Sequence, residues 1–259
     1  MTTSLLEVRE YIRNFYVKYE EYIVPVLKFV LALISLLMIN EQLGYMSQLN
    51  NMAAVLVVAL VCSFMPKNFI LFVGAGFVTL HLYEVSLECA VIALLVFLLM
   101  FLLYFRFSPD SVVLVIVTPM LFVLKIPYAA PLLAGLLANP FAAVTVACGV
   151  VIYYLITYMN VNASILGASQ AESMIQRFRD IFDGIFGNRA MIIVIAAFAV
   201  TVIMVYLIRR LSVDYAWTIA VVAGALLDVV ILMVGDLMYD ANFSIGGVIL
   251  GLSLIHISE

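Results

Sequence analysis

Two kinds of apolar pattern alternate along the chain. Leu5, Val8, Ile12, Phe15, Tyr19 and Tyr22 recur at three- and four-residue steps with charges between them, which predicts an amphipathic helix over 1–22 lying at a membrane surface. Continuous apolar runs follow it directly. Those near 23–40, 87–105, 141–159, 190–208 and 218–234 can each cross a hydrocarbon core of about 30 Å, which takes roughly 17–25 helical residues. Two further regions, 52–83 and 112–138, are interrupted, the first by Met65-Pro66-Lys67-Asn68 and the second by Lys125-Ile126-Pro127. Each half is expected to hold about 13–15 residues and so to reach only about 20 Å. Short, tightly turned crossings and re-entrant hairpins both fit that pattern.

Between the third and fourth long runs, the connection 160–189 carries a stripe of Met174, Phe178, Ile181, Phe182, Ile185 and Phe186, with Arg177, Arg179, Asp180 and Asp183 elsewhere around the helix. This predicts a helix over 170–186 flat on the bilayer surface, serving as a joint between spans or as a lid or docking helix. The predicted fold class is therefore all-α: a polytopic transmembrane helical bundle with short split segments and interfacial amphipathic helices. Its parts are the interfacial helix 1–22, a membrane domain 23–159 with two split units (52–105 and 112–159), the amphipathic connection 160–189, and further transmembrane helices over 190–251.

Composition agrees with this pattern. Hydrophobic residues make up 67% of the chain and charged residues 11%, against roughly 45–50% and about 25% in a soluble domain, so lipid is the expected solvent and partner. Twelve basic residues against 16 acidic ones, with no Lys/Arg-rich run, give no footprint for nucleic acid. Cys62, Cys89 and Cys148 are widely spaced within apolar runs, which predicts buried, reduced thiols rather than disulfides or metal ligands. Arg9, Arg13, Lys18, Arg106, Arg209 and Arg210 fall at one set of connections and Glu41, Glu84, Glu88, Asp236 and Asp240 at the alternate set. This predicts a cytoplasmic N-terminus and an outer location for 160–189, whichever way the split regions fold.

Charges inside apolar runs are the strongest pointers to function, since each costs at least roughly 2.5–3.5 kcal/mol at mid-bilayer. Asp228 stands in the middle of the 218–234 run, as a proton or cation site or as a hydrogen-bonded helix contact. Lys28 is positioned either to pair with Asp228 or to snorkel to the headgroups. Lys67 and Lys125 occupy the two breaks. A single ungapped offset aligns the two split units, setting Ala75-Gly76 against Ala134-Gly135 and Cys89 against Cys148. Units of this layout related by inversion are a transporter architecture, with the site at the repeat interface; Lys67 and Lys125 then either face an anionic ligand or mark ordinary loops. His81 reads as a hydrogen-bonded interfacial residue.

No HExxH, GxSxG or P-loop motif and no metal-ligand cluster occurs in the sequence, so neither an enzyme nor a cofactor is expected. Gly235-Asp236 resembles part of the Gly-x-Gly-Asp element of intramembrane aspartyl proteases, but Met233 stands where its first glycine belongs.

Ile12-Arg13-Asn14-Phe15-Tyr16, Arg106-Phe107-Ser108-Pro109, Lys125-Ile126-Pro127-Tyr128 and Arg209-Arg210-Leu211-Ser212-Val213-Asp214-Tyr215-Ala216-Trp217 resemble stretches of a group of uncharacterised multi-span proteins of Gram-positive bacteria often labelled ABC-transporter permease. That resemblance implies a multi-pass protein of the bacterial cell membrane and a separate ATPase subunit as partner; it carries no functional residues. The ending Leu252-Ser253-Leu254-Ile255-His256-Ile257-Ser258-Glu259 resembles translated sequencing-adapter read-through, so the native sequence is expected to continue past about Gly251. The expected function is a transporter or permease subunit, with a non-catalytic membrane scaffold or assembly component of the cell envelope as the alternative.

Overall fold

Capping and breaking residues set where the helices start and stop. The computed structural model describes residues 2–168 and 174–239, which form α1 (Thr2–Gln42), α2 (Met52–Phe64), α3 (Phe69–Val85), α4 (Leu87–Phe107), α5 (Val112–Val123), α6 (Ala129–Leu137), α7 (Ala142–Ala168), α8 (Met174–Phe186), α9 (Arg189–Arg209) and α10 (Ala216–Tyr239), with no strand among them. The Asn51 side chain accepts from the Ala53 amide at the start of α2, Ser86 from Cys89 at the start of α4, and Asn188 from Met191 at the start of α9. Each satisfies an amide that has no partner within its own helix. Pro66 and Pro127 lie in the two breaks, and Asn139-Pro140 follows the end of α6, where the residue before proline is steered out of helical conformation.

Five helices among the described residues are long and apolar enough to cross a membrane: Arg13–Gln42 within α1, then α4, Ala142–Gly167 within α7, α9 and α10. The chain is thus an all-α polytopic membrane protein by the length and hydropathy of its helices. Elements extend beyond the runs read from sequence. The first span is the second half of a continuous helix, kinked at Tyr19 (φ −114°, ψ 17°). α7 runs on to Ala168 and α10 to Tyr239, so Asp236, expected in a connection, is helical. The amphipathic helix begins at Met174. Residues 169–173, Asp240, the run Ile245–Ile255 and the tail 252–259 lie outside the described residues.

Hydrogen bonds and ion pairs assign each helix end to one of two ends of the bundle. At the lower end, Lys28 donates to the Met65 carbonyl (3.0 Å), Lys67 pairs with Asp110 (3.1 Å), the Tyr104 hydroxyl donates to Asn68 (3.0 Å), and Arg209 donates to the Ala138 carbonyl (2.7 Å). At the upper end, His81 bridges Asn40 (2.8 Å) and the Met46 amide (3.1 Å), Tyr45 donates to Asn160 (3.0 Å), and Arg177 pairs with Glu88 (2.6 Å). The last contact places α8 at the upper end, where its Ile181 and Ile185 are buried against α4 and α7. Arg209 and Lys67 sit at the opposite end.

The two split regions come out differently. The break between α2 and α3 reaches the lower end, level with Tyr104 and Asp110 at the end of α4. The break between α5 and α6 does not reach the upper end. Phe122 stacks on Tyr153 (4.4 Å) near the middle of α7, and both Phe122 (5.9 Å) and Tyr128 (6.3 Å) pack on Phe198 near the middle of α9. The hairpin enters at the lower end, turns at mid-height and returns to Ala138 beside Arg209. The expected uniform halves of about 13–15 residues are corrected to 13 and 17 in the first region, 12 and 9 in the second. At about 1.5 Å per residue, α3 spans about 25 Å and α6 only about 13 Å.

Candidate functional site

Three glycines bring α6, α9 and α10 together, two toward the lower end of α9 and one toward its upper end. A Cβ on Gly135 of α6 would lie 2.6 Å from Val205 Cβ, one on Gly224 of α10 would lie 2.3 Å from Val205 Cγ2 and 2.9 Å from Leu132 Cδ2, and one on Gly235 would lie 2.5 Å from Ile193 Cγ2. Without side chains at these positions the helix backbones close on each other, as small residues allow in membrane bundles where burial from water supplies no driving force between helices.

One turn beyond Gly224, Asp228 is 1% exposed. Its Oδ1 accepts from the Thr201 hydroxyl of α9 at 3.3 Å, and its Oδ2 has no hydrogen-bond partner among the described residues. Tyr128, the last residue before α6, stands within electrostatic reach of Asp228 and of Tyr154 of α7. A carboxyl with one weak hydrogen bond and one bare oxygen in an apolar setting is costly in its charged form. The arrangement suits a group that gains and loses a proton.

The tip of the α5–α6 hairpin is built by backbone rather than side chains. The Lys125 amide donates to the Phe122 carbonyl (3.0 Å) and the Ile126 amide to Leu121 (2.9 Å), the paired bonds of a Schellman turn. Lys125 takes the left-handed position (φ 62°) that glycine usually fills, and its side chain is exposed. Holding a lysine there costs backbone energy of roughly 1–2 kcal/mol, so this conformation is retained at a position where its charge is set at mid-height.

The four residues singled out from sequence do not form one cluster. Asp228 and Lys125 lie at mid-height, whereas Lys28 and Lys67 lie at the lower end, held by Met65 and Asp110. Pairing of Lys28 with Asp228 is therefore corrected: Lys28 lies part-way along the continuous α1, level with the α2–α3 loop, and reaches the Met65 carbonyl of that loop, the snorkelling geometry. Lys67 belongs to an exposed loop, its side chain 48% accessible and that of Asp110 93%. His81, fully buried, accepts from the Met46 amide at Nδ1, which leaves Nε2 to donate to Asn40; it clamps the turn after α1 and is occupied in doing so.

Sequence reasoning missed Thr201 and Tyr128, which lack any distinguishing local pattern, and it placed Glu88 in a connection. Glu88 is instead in the first turn of α4, buried against Arg177; a serine two residues before it, able to cap, was the available signal. All three cysteines are buried and free. No family model matches the chain, and no curated protein or solved structure is significantly similar to it.

Proposed function

We propose that this protein is a transporter or permease subunit of the bacterial cytoplasmic membrane, with its N-terminus in the cytoplasm and the α5–α6 hairpin forming part of the route through the bilayer. The observation that carries the reading is the hairpin's turn at the mid-height of α7 and α9 with an exposed lysine at its tip. Non-helical backbone at membrane depth is tolerated where it is enclosed by protein or lines a water-filled cavity, and a lysine at that depth facing lipid costs at least roughly 2.5–3.5 kcal/mol. Water or an anionic solute at the tip removes that cost. Discontinuous helices ending at the midplane are the elements from which secondary transporters build their sites.

The arginine distribution supports the cytoplasmic N-terminus, and with it α8 lies on the outer face. A separate ATPase subunit would then have to engage the lower end, at the loops carrying Lys67, Arg106 and Arg209, rather than α8.

Cysteine accessibility tests the reading. In a background with Cys62, Cys89 and Cys148 replaced by alanine, single cysteines at Asn68 and Lys125 are exposed in membrane vesicles to a small, charged thiol reagent that does not cross bilayers. Asn68→Cys reacts from the lower side, and Lys125→Cys reacts as well if water reaches the tip. An inert Lys125→Cys beside a reactive Asn68→Cys would mean that lipid or packed protein seals the tip, leaving the membrane-scaffold alternative.

A further inference from the structure

We infer that Asp228 is a proton-carrying site, occluded between α6, α9 and α10 and neutral in the arrangement seen here; this names the coupling or transported ion for the transport reading above and rests on it. Three observations converge on the carboxyl. It is 1% exposed, its Oδ2 is unpartnered, and it lies within electrostatic reach of Tyr128 at the start of α6. The helix is closely packed on either side of it. Gly224, one turn away on the same helix, lies against Val205 and Leu132, and Gly235 lies against Ile193.

The donor set also argues for a proton over a metal ion. Hard cations take about six or more oxygen ligands, and among the described residues the side-chain oxygen hydrogen-bonded to the carboxyl is the Thr201 hydroxyl. No group of three His, Cys, Asp or Glu side chains able to hold a metal occurs among the described residues. A proton needs one lone pair, and Oδ2 has it free.

The titratable surroundings are sparse. Tyr128 lies within electrostatic reach of the carboxyl, and Tyr154 of α7 within reach of Tyr128. α9 contributes Thr201 and no titratable side chain between Arg189 and Tyr206, α6 carries none, and on α10 itself Asp236 is two turns away. Among the described residues no cation pairs with Asp228, so the site loads by taking one proton from water and unloads by returning it. The hairpin tip is itself packed against α7 and α9 through Phe122 and Tyr128, so Tyr128 is held in place near the carboxyl.

The experiment uses the full chain in proteoliposomes and reads two quantities. Dicyclohexylcarbodiimide, a lipid-soluble reagent that modifies protonated carboxyls, is applied across an acid-to-alkaline series, and the labelled residue is located by mass spectrometry. Asp228 is expected to label, with a roughly tenfold fall in rate across its titration as the carboxyl ionises. An entrapped pH dye then follows proton entry under an imposed gradient: Asp228→Asn is expected to lose it and Asp228→Glu to retain a measurable part. Absence of labelling at Asp228, labelling that ignores pH, or proton entry unchanged in Asp228→Asn would overturn the inference. The labelling arm needs no variant, so a misfolded substitution does not obscure it. It is also separate from the accessibility test: a sealed Lys125→Cys with pH-dependent labelling of Asp228 removes the route through the hairpin while leaving a titrating carboxyl.

Discussion

The regions α2–α3 and α5–α6 share a layout in sequence, yet one traverses the bundle and the other turns back halfway. α2 starts at Met52 and α5 at Val112, within one residue of correspondence under the common offset, and both breaks carry a proline and a lysine. The divergence begins after the break. α3 continues through His81 to Val85, while the residue set against His81 is Pro140, and α6 has ended before it. Proline cannot join the hydrogen-bond ladder and disfavours helix at the residue before it. Within α5, Pro119 stands where α2 has Leu60. α5 runs through Pro119 unbroken, so Pro140 is the proline that stands where the two regions part. The first unit ends at the lower end with Phe107 and the second at the upper end with Ala168, so the two run in opposite directions with unequal halves.

Matched glycines give the sharpest test of that difference. Gly76 in α3 and Gly135 in α6 correspond under the offset, but a Cβ at Gly76 meets nothing within 4 Å, whereas one at Gly135 meets Val205 Cβ at 2.6 Å and the Val202 carbonyl at 3.0 Å. Gly135→Ala should destabilise the protein by about 1–3 kcal/mol through overpacking. Gly76→Ala should be neutral or stabilise it by roughly 0.5–1 kcal/mol, the helical gain of alanine over glycine. Denaturation of purified protein in mild detergent by increasing proportions of dodecyl sulfate reads both. Equal effects would break the comparison, since they would mean that α6 is as loosely held as the lipid-facing side of α3.

Much of the architecture is legible in the chain because length and hydropathy decide it: the five long spans, the two breaks at Lys67 and Lys125 and the stripe of α8 all stand where the residues place them. The depth of the second hairpin was harder to read. Asn139-Pro140 was visible, but whether a 9-residue helix turns at mid-height depends on what packs beside it, here Phe198 and Tyr153 from helices distant in sequence. Asp228 stood out because an isolated carboxylate in an apolar run is costly wherever it lands. Its neighbours did not, since Thr201 and Tyr128 become its neighbours only through the close approach that Gly135 and Gly224 permit. Glu88 and Arg177 were each visible as charges, but their pairing is a tertiary fact.

The smallest effects are expected at the two lysines, and there stability and function should part. Lys67 and Asp110 are an exposed pair, with side chains 48% and 93% accessible, and such pairs contribute about 0–1 kcal/mol; Lys67→Ala should therefore change stability little and leave proton entry intact. Lys125 occupies a left-handed backbone position at φ 62°, so Lys125→Gly should stabilise the protein by up to about 1 kcal/mol, because glycine adopts that conformation without a Cβ clash. The same substitution removes the charge at the hairpin tip, and on the transport reading it should lower flux while the denaturation midpoint rises. Gains in stability that cost activity are expected where backbone strain is maintained for a functional side chain. If Lys125→Gly raises the midpoint and leaves proton entry untouched, the lysine has no part in the route. If it lowers the midpoint, the left-handed turn is not the strained feature that distinguishes the second break from the first.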